Sequence, residues 1–318
     1  MGSTGWHGLK AETARGDVMA KTVGVVMTDR IAAGLIENHK ITGELRQFPE
    51  RPEGDAEENG PLVETPADSL WEMICDEIAA LAPKGSGVKA VGVALPGMIR
   101  SGVVEDSPNL PQLKGTRVEE AIRGGLAERG LQYPVCAMND ADAVAAGLAA
   151  TRGHLDRMIR VWTIGNGIGY GKFPTSDCPL EGGHIVVTLD PKENYCGCGG
   201  TGHLEGIMGY RAMRLRFMDM EPHEIFDHAR KGDRRCANFV DLWHRALAAA
   251  TASMIHLEGP GRFYFTGREI GRLDLARLKE CLYQMVKMSP MQSYSLEVLP
   301  EDPAIAAIGA GTAGLKNS

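Results

Sequence analysis

The chain has 318 residues, of which 43% are apolar, and this length predicts about two domains. Its net charge of −7 predicts no basic surface for nucleic acid. No apolar run approaches the roughly 18–20 residues that span a bilayer, and the N-terminus lacks the apolar segment of a secretory signal, so no membrane association is predicted. Seven scattered cysteines, an odd number, favour a cytoplasmic location over a disulfide framework.

The first third of the chain predicts a polar extension over residues 1–21 and then alternating strands and helices. An apolar, β-branched run at 22–28 is typical of a buried strand. A Pro-, Glu- and Gly-rich stretch at 47–66 predicts an exposed connection. Apolar residues at helical spacing predict a helix over 68–82 that begins at an Asp/Ser cap, and GVKAVGVALPG then predicts a buried strand.

The alternation continues to the C-terminus. A helix is predicted over 117–129, followed by the strand PVCAMND and the small-residue helix ADAVAAGLAATRG. MIRVWTIGNGIGYGKF predicts two strands joined by a glycine-rich turn, and 206–258 is largely helical. The strand RFYFTG, the helix LDLARLKECLYQMVK, the strand SLEVLP and the helix AIAAIGAGTAGL complete the pattern, which predicts an α/β architecture with covered sheets.

The segment EGGHIVVTLDPKENYCGCGGTGHLE, residues 181–205, contains candidate metal ligands between two glutamates. Its Cys-Gly-Cys-Gly turn presents two thiolates on one side. Zinc takes four tetrahedral Cys and His ligands, and a site with four protein ligands is structural because no position stays open for water. The alternative is a chance coincidence in a loop. The spacing predicts a structural zinc ion that fixes Glu181 and Glu205 and is bound by His184, Cys196, Cys198 and His203.

The pattern Glu-x-Gly-His, then Cys-x-Cys-Gly-x-x-Gly-(Cys/His)-x-Glu, resembles the ROK family of bacterial sugar kinases, sugar-responsive repressors and related open reading frames. His203 stands where the family usually has a third cysteine. The resemblance covers roughly residues 22–318. Further segments that are similar to the family are Leu95-Pro96-Gly97, Ser107-Pro108-Asn109-Leu110-Pro111, Asn139-Asp140-Ala141-Asp142-Ala143, Ile164-Gly165-Asn166-Gly167-Ile168-Gly169 and the closing helix.

The resemblance implies an α/β, actin-like ATPase (ribonuclease H-like) fold of two domains with an interdomain cleft. The smaller domain would span 22–140 and be completed by the C-terminal helix 303–318, and the larger domain, with the zinc loop, would span 141–302. A homodimer or homotetramer is the family expectation. Family repressors carry an additional N-terminal helix-turn-helix domain, and the polar residues before the first strand do not predict one, so no DNA binding is expected.

The resemblance also implies a sugar pocket in which Asp140 is the general base for the attacking hydroxyl. Glu181 and Glu205 would bind hydroxyls near the anomeric end, and His184 would contact sugar with one nitrogen and metal with the other. Read alone, Asn139-Asp140 could be only a helix N-cap, Glu205 a solvated carboxylate and Asn109 a turn residue. The implied sugar ligands are Asn109, Asn139, Asp140, Glu181, His184 and Glu205.

The predicted nucleotide side departs from the family pattern. The family's Asp-x-Gly-Gly-Thr loop is replaced by Val25-Val26-Met27-Thr28-Asp29, and Met27 is expected to add bulk where backbone should approach phosphate. The third element keeps one glycine, Gly267, before Arg268 and Glu269. The second phosphate loop keeps more of the family pattern, with candidate nucleotide contacts at Gly165, Asn166, Gly167 and Gly169, although a glycine-rich turn read alone is as consistent with a simple tight hairpin.

Two hypotheses about function remain open. The first is a ROK-type sugar kinase that phosphorylates a hexose or hexose derivative, either with ATP and Mg²⁺, phosphate being neutralised by Arg30 or Arg268, or with a donor other than ATP. The second is a non-kinase ROK protein that binds a sugar as a sensor or transforms it without ATP. The retained Asp140 favours an enzyme, whereas the lost glycines count against ATP.

Overall fold

The computed structural model describes residues 20–49, 62–175 and 179–316. Most of the N-terminal extension predicted at 1–21 and of the connection predicted at 47–66 therefore lies outside the described residues. Within the described ranges no helix combines the length and the apolar character needed to cross a membrane.

In the first half of the chain, the described residues form a five-stranded mixed sheet, a two-stranded ribbon and three α-helices. Its strands are β1 (Lys21–Met27), β2 (Ile31–Glu37), β3 (Lys40–Phe48), β4 (Val88–Leu95), β5 (Met98–Arg100), β6 (Val103–Asp106) and β7 (Val135–Asn139). Its helices are α1 (Ala67–Leu81), α2 (Val118–Glu128) and α3 (Asp140–Thr151). The sheet order is β3-β2-β1-β4-β7, antiparallel from β3 to β1 and parallel from β1 through β4 to β7.

The apolar face of α1 explains how this sheet is covered. Leu70, Ile74 and Ile78 are completely buried and pack, together with residues of α2, in one cluster on one face of the sheet. The sequence predicts this helix over 68–82, and the helix begins and ends one residue earlier. The predicted Asp/Ser cap is wrong, because the N-cap is Pro66, which has no hydrogen-bonding side chain, and Asp68 lies inside the first turn.

The second half forms a four-stranded sheet in the order β11-β10-β8-β9. Its strands are β8 (Ile159–Ile164), β9 (Ile168–Phe173), β10 (Arg262–Thr266) and β11 (Ser295–Val298). Its helices are α4 (Leu204–Met208), α5 (Tyr210–Arg216), α6 (Pro222–Arg230), α7 (Arg234–Glu258), α8 (Leu275–Met285) and α9 (Pro303–Lys316). A core built around Trp162, Trp243, Phe263 and Phe265 joins this sheet to α7 and α8.

Helices α3 and α9 lie between the two sheets. Helix α9 packs on β1 and β4, and α3 packs against α9 on one side and against β8 and β9 on the other. The contact between α3 and α9 requires small residues in both helices. A Cβ atom added at Gly309 would lie 1.8 Å from Ala143 O, and one at Gly147 would lie 1.8 Å from Ile305 O. This packing places the start of α3 at the junction of the two sheets.

Candidate functional site

Asn139 and Asp140 lie where β7 ends and α3 begins. The Asn139 Oδ1 atom accepts hydrogen bonds from the backbone N–H groups of Ala141 (2.8 Å) and Asp142 (3.3 Å), so Asn139 is the N-cap of α3. Its Nδ2 atom donates to Gly97 O at 3.0 Å. Asn139 therefore fixes both the start of α3 and the turn after β4, and it holds the neighbouring Asp140 in place.

Two carboxylates in the first turn of α3 have perturbed acidities. Burial raises the pKa of the Asp140 carboxyl above its usual range, although a hydrogen bond from Ala141 N–H at 2.9 Å opposes the shift. Burial also raises the pKa of Asp142 to about 6, and the charge of Asp140 adds to this effect. Asp142 accepts a hydrogen bond from Lys172 N–H at 2.9 Å. Asp142 is not among the site residues predicted from the sequence, although the Asp-x-Asp spacing at a helix start is a usable signal.

The loop that carries Asn109 is anchored beside the same turn. The buried Ser107 donates a hydrogen bond from Oγ to Pro96 O at 2.8 Å, and Leu110 N–H closes a turn onto Ser107 O at 3.1 Å. Asn109 is half-buried within this turn. Because Asn139 binds Gly97, the Asn109 loop and the start of α3 meet around Pro96–Gly97.

Glu181, from the second half of the chain, lies near the carboxylates of Asp140 and Asp106 from the first half. Burial raises the pKa of Glu181, and the nearby His184 opposes this, while the negative charges of Glu205, Asp140 and Asp106 add to it. The carboxylates from both halves therefore lie close enough to repel one another. The Glu181 Oε2 atom lies 3.9 Å from His184 Nε2, which leaves the other ring nitrogen of His184 to face the metal-ligand cluster.

The four predicted metal ligands converge. His184 Nδ1 lies 3.4 Å from both His203 Nδ1 and Cys196 Sγ, Cys196 Sγ lies 3.4 Å from Cys198 Sγ, and Cys198 Sγ lies 3.2 Å from His203 Nδ1. All four ligand atoms lie within 4.8 Å of one another. Zn–S bonds of about 2.3 Å and Zn–N bonds of about 2.0 Å place tetrahedral ligand atoms roughly 3.3–3.8 Å apart.

The chemistry of this donor set also fits a divalent metal ion. The sulfur atoms of Cys196 and Cys198 are 3.4 Å apart, well beyond the roughly 2.05 Å of a disulfide. Burial raises the pKa of the Cys196 thiol to about 12, so a cation is needed to make it a thiolate at neutral pH. Burial and the neighbouring His184 lower the pKa of His203, which favours the neutral imidazole that binds metal.

Backbone pairing and an ion pair hold the loop that carries the candidate metal ligands. Val187 N–H donates to Gly202 O at 2.8 Å, and Gly202 N–H donates to Glu193 O. Glu193 is a buried carboxylate whose two oxygens accept hydrogen bonds from the guanidinium of Arg216 in α5. No local pattern in the sequence predicts this pair, because 23 residues separate its members. The loop is thus attached to α5 independently of any metal ion.

The match to known proteins decides the family. A family model described as "ROK family" matches residues 53–310, most of the chain. The chain belongs to the ROK family.

Other ROK proteins show how far the likeness extends. A glucokinase from Thermotoga maritima is 28% identical over 281 residues, which are 77% of this chain and 85% of the relative. An N-acetylmannosamine kinase from Escherichia coli is 31% identical over 204 residues, 60% of this chain and 68% of the relative. A glucokinase from Pyrobaculum calidifontis is 31% identical over 187 residues, 55% of this chain and only 59% of the relative.

Solved ROK structures share the fold. A ROK hexokinase from Thermus thermophilus superposes with a TM-score of 0.70 at 23% identity, covering 93% of this chain and 98% of the other. A ROK transcriptional regulator gives a TM-score of 0.70 at 18% identity, covering 95% and 80%. The predicted fold class is confirmed: the chain has the α/β, actin-like ATPase fold of ROK proteins.

The predicted second phosphate loop of this ROK protein corresponds to the turn between β8 and β9. Gly165 N–H donates to Gly167 O at 3.0 Å and closes the turn, while Gly165 O accepts from Tyr210 N–H at 3.1 Å. Asn166 is at the tip, and Gly169 follows within β9. Gly267, after β10, lies beside this turn with φ +112°, and a Cβ atom there would lie 2.5 Å from Ile164 O. Glycine is therefore required at position 267.

The turn after β1, where the family's first phosphate loop is expected, does not have the shape that the sequence predicts. Met27 does not obstruct the loop: its side chain is completely buried in the core of the first sheet, on the same face as Val25. The turn between β1 and β2 is formed by Thr28, Asp29 and Arg30, and Thr28 N–H donates to Arg30 O at 2.9 Å. Asp29 forms an ion pair with Arg268 from the other half of the chain.

Proposed function

We propose that this ROK protein is a carbohydrate kinase that phosphorylates a hexose or hexose derivative, with Asp140 as the general base. The observation that carries the proposal is the convergence of the segments of Asp140, Glu181 and Glu205 on strand β9. A Cβ atom at Gly169 would lie 3.4 Å from Ala141 Cβ, one at Gly183 would lie 2.1 Å from Ile168 O, and Glu205 Oε2 accepts a hydrogen bond from Ile168 N–H at 3.0 Å. The negative charges of Glu205 and Asp140 raise the pKa of Glu181. Carboxylates of this kind bind sugar hydroxyls, and one of them can accept the proton of an attacking hydroxyl. The names of the glucokinase and N-acetylmannosamine kinase relatives support the same substrate class.

The environment of Asp140 suits a base. Because burial raises its pKa, the ionised carboxylate binds a proton more strongly than an exposed aspartate does. Asn139 fixes the carboxylate at the N-terminus of α3, with its Oδ1 held by Ala141 N–H. In the proposed reaction, the second Asp140 oxygen takes the proton from the reacting hydroxyl.

The sugar is proposed to lie between the loop of Asn109 and the metal-binding segment. Glu181 and Glu205 accept hydrogen bonds from hydroxyls, and the Nε2 atom of His184 faces the same side as Glu181. The four-residue donor set would hold a structural zinc ion, which orients His184 through its Nδ1 atom. With four protein ligands, the ion would keep the segment folded and would not activate water.

ATP, bound together with Mg²⁺, is the proposed donor of the transferred phosphoryl group. The turn of Gly165, Asn166 and Gly167 offers backbone N–H groups to its phosphates, and Gly169 and Gly267 keep the adjacent backbone close.

A second candidate function is favoured by one observation. The Asp29–Arg268 ion pair joins the two loops between which donor phosphates would lie, and Thr28–Arg30 offers no glycine for close backbone approach. On this reading, the protein binds a sugar as a sensor or transforms it without ATP.

A turnover assay tests the proposal. The purified protein is incubated with Mg-ATP and a panel that includes glucose, mannose, N-acetylglucosamine and N-acetylmannosamine. ADP release is followed with a coupled assay, and the sugar phosphate is detected by mass spectrometry. The kinase proposal expects ADP release that depends on at least one sugar. A sugar that raises the melting temperature but yields no sugar phosphate would favour the second function.

A further inference from the structure

An ion pair connects the two halves of the chain at the nucleotide side of the site. Asp29 lies in the turn between β1 and β2, and Arg268 follows β10, 239 positions later. Their side chains are only 27% and 32% exposed, so this pair is better shielded than most surface ion pairs of the described residues. The contact therefore spans the space between the altered first loop and the third nucleotide element.

The backbone on both sides of Arg268 is fixed against the retained glycine turn. Gly267 packs against Ile164, the last residue of β8, and Glu269 N–H donates to Ile164 O at 3.0 Å. Ile164 leads directly into the turn at Gly165–Gly167. The guanidinium of Arg268 is thus carried by a rigid backbone beside the turn that is proposed to receive donor phosphates.

Neighbouring charged side chains are engaged elsewhere. Glu269 pairs with Arg272, which is itself largely buried. Arg30, one of the two arginines considered from the sequence, donates from Nε to Pro49 O at 2.8 Å, directly after β3, and from Nη1 to Gln47 Oε1 at 3.4 Å, within β3. Glu269 therefore does not compete for Arg268, and Arg30 does not compete for Asp29.

We propose that Arg268 is the residue that binds the phosphates of the donor, and that Asp29 is a competing anion that a polyphosphate must displace. This inference rests on the proposed kinase function. A guanidinium binds phosphate through two parallel N–H···O contacts, and a polyphosphate carries more negative charge than a carboxylate. Arg268 thus replaces donors lost with the missing glycines, while Asp29 keeps the loops together and weakens donor binding until exchange occurs.

The test measures binding of inorganic tripolyphosphate by calorimetry, with EDTA present so that no divalent cation contributes. Asp29→Asn removes the competing charge and is expected to tighten binding by about three- to ten-fold. Arg268→Ala is expected to weaken binding by at least about ten-fold, and Arg268→Lys, which keeps the charge but loses the planar fork, by a smaller factor. Circular dichroism and melting curves establish that each variant is folded.

Glu297→Gln is the matched control. It removes a carboxylate that pairs with Arg152 (2.8 Å from Nη1 to Oε1) at a part-exposed site, and it changes the net charge by the same amount as Asp29→Asn. The control is expected to bind tripolyphosphate as the wild type does. Equal tightening in both variants would reduce the effect to net charge and overturn the proposal, as would an Asp29→Asn variant that binds no tighter than wild type.

The binding test separates this proposal from the proposed function. Tighter binding in Asp29→Asn supports the role of the ion pair even where no sugar is phosphorylated. Sugar-dependent ADP release with unchanged tripolyphosphate affinity in Asp29→Asn and Arg268→Ala would uphold the kinase and overturn the role of the ion pair.

Discussion

Glu205 Oε2 accepts a hydrogen bond from the backbone N–H of Ile168 at 3.0 Å. The other oxygen of Glu205 lies 3.8 Å from Cys196 Sγ. Ile168 begins β9 directly after the glycine turn, and a Cβ atom at Gly167 would lie 2.4 Å from the same Glu205 oxygen. A single side chain therefore connects the candidate metal ligands to the glycine turn between β8 and β9.

Replacing Glu205 tests this connection. Glu205→Ala leaves the N–H of the buried Ile168 without its acceptor, and we expect the free energy of unfolding to fall by about 1–3 kcal/mol. Glu205→Gln keeps a side-chain oxygen and is expected to lose less. Urea denaturation of the two variants measures the difference. Equal stabilities for both variants and the wild type would show that the contact is unimportant for folding.

Removal of one thiolate tests the metal site. Cys198→Ser is expected to lower the bound zinc from about one per chain towards zero and to lower the melting temperature, because a structural zinc ion contributes folding energy. Mass spectrometry for metals measures the content. Cys281, a free cysteine in α8, provides the control: Cys281→Ser should retain its zinc. Equal metal content in the two variants would contradict the assignment.

Two glycine-to-alanine substitutions are expected to change the free energy of unfolding in opposite directions, because only one of the two glycines lies in the close packing of α3 on α9. Gly309→Ala places a Cβ atom 1.8 Å from Ala143 O, so the helices must separate, and we expect a loss of at least about 1–3 kcal/mol of unfolding free energy. Gly124→Ala, in the exposed part of α2 where a Cβ atom meets nothing within 4 Å, should gain about 0.5–1 kcal/mol. Thermal and urea unfolding compare them, and similar values for both would contradict this packing.

The raised pKa of Asp142 predicts that the free energy of unfolding depends on pH. Its pKa is raised from 3.8 to about 6 in the folded state, so its favourable contribution is present below pH 4 and is lost as the pH rises to 6. Asp142→Asn removes the titration and retains an oxygen for Lys172 N–H. The stability of this variant relative to wild type should therefore increase by about 1–3 kcal/mol between pH 4 and pH 7. A difference that does not change with pH would exclude the burial argument.

Local patterns in the sequence predict many of the elements. The helical spacing of Leu70, Ile74 and Ile78 predicts α1 to within a residue or so at each end. Strands β2 and β3 are not predicted from the sequence, because β2 is rich in Ala and Gly and β3 is an edge strand with no buried residue. The burial of Met27 could have been predicted, since alternate residues of β1 share a face with Val25.

Candidate site residues are predictable only where they lie close together in the sequence. The four candidate metal ligands occupy one short segment, and their types and spacing define the set. Asp29 and Arg268 can each be singled out from the sequence. Their pairing cannot be predicted, because they are 239 positions apart and are brought together only by the relative placement of the two sheets. Likewise, the raised pKa of Asp140 follows from its burial between two halves of the chain, which no local pattern states.

The comparison of turnover with sugar affinity in Asp140→Asn tests the central claim most directly. Turnover is measured as sugar phosphate formed with Mg-ATP, and affinity for the same sugar is measured by calorimetry. If Asp140 is the general base, turnover should fall by at least about 100-fold while the sugar dissociation constant changes by only a few fold. Turnover that persists in Asp140→Asn, or falls only in proportion to lost sugar binding, would contradict the account.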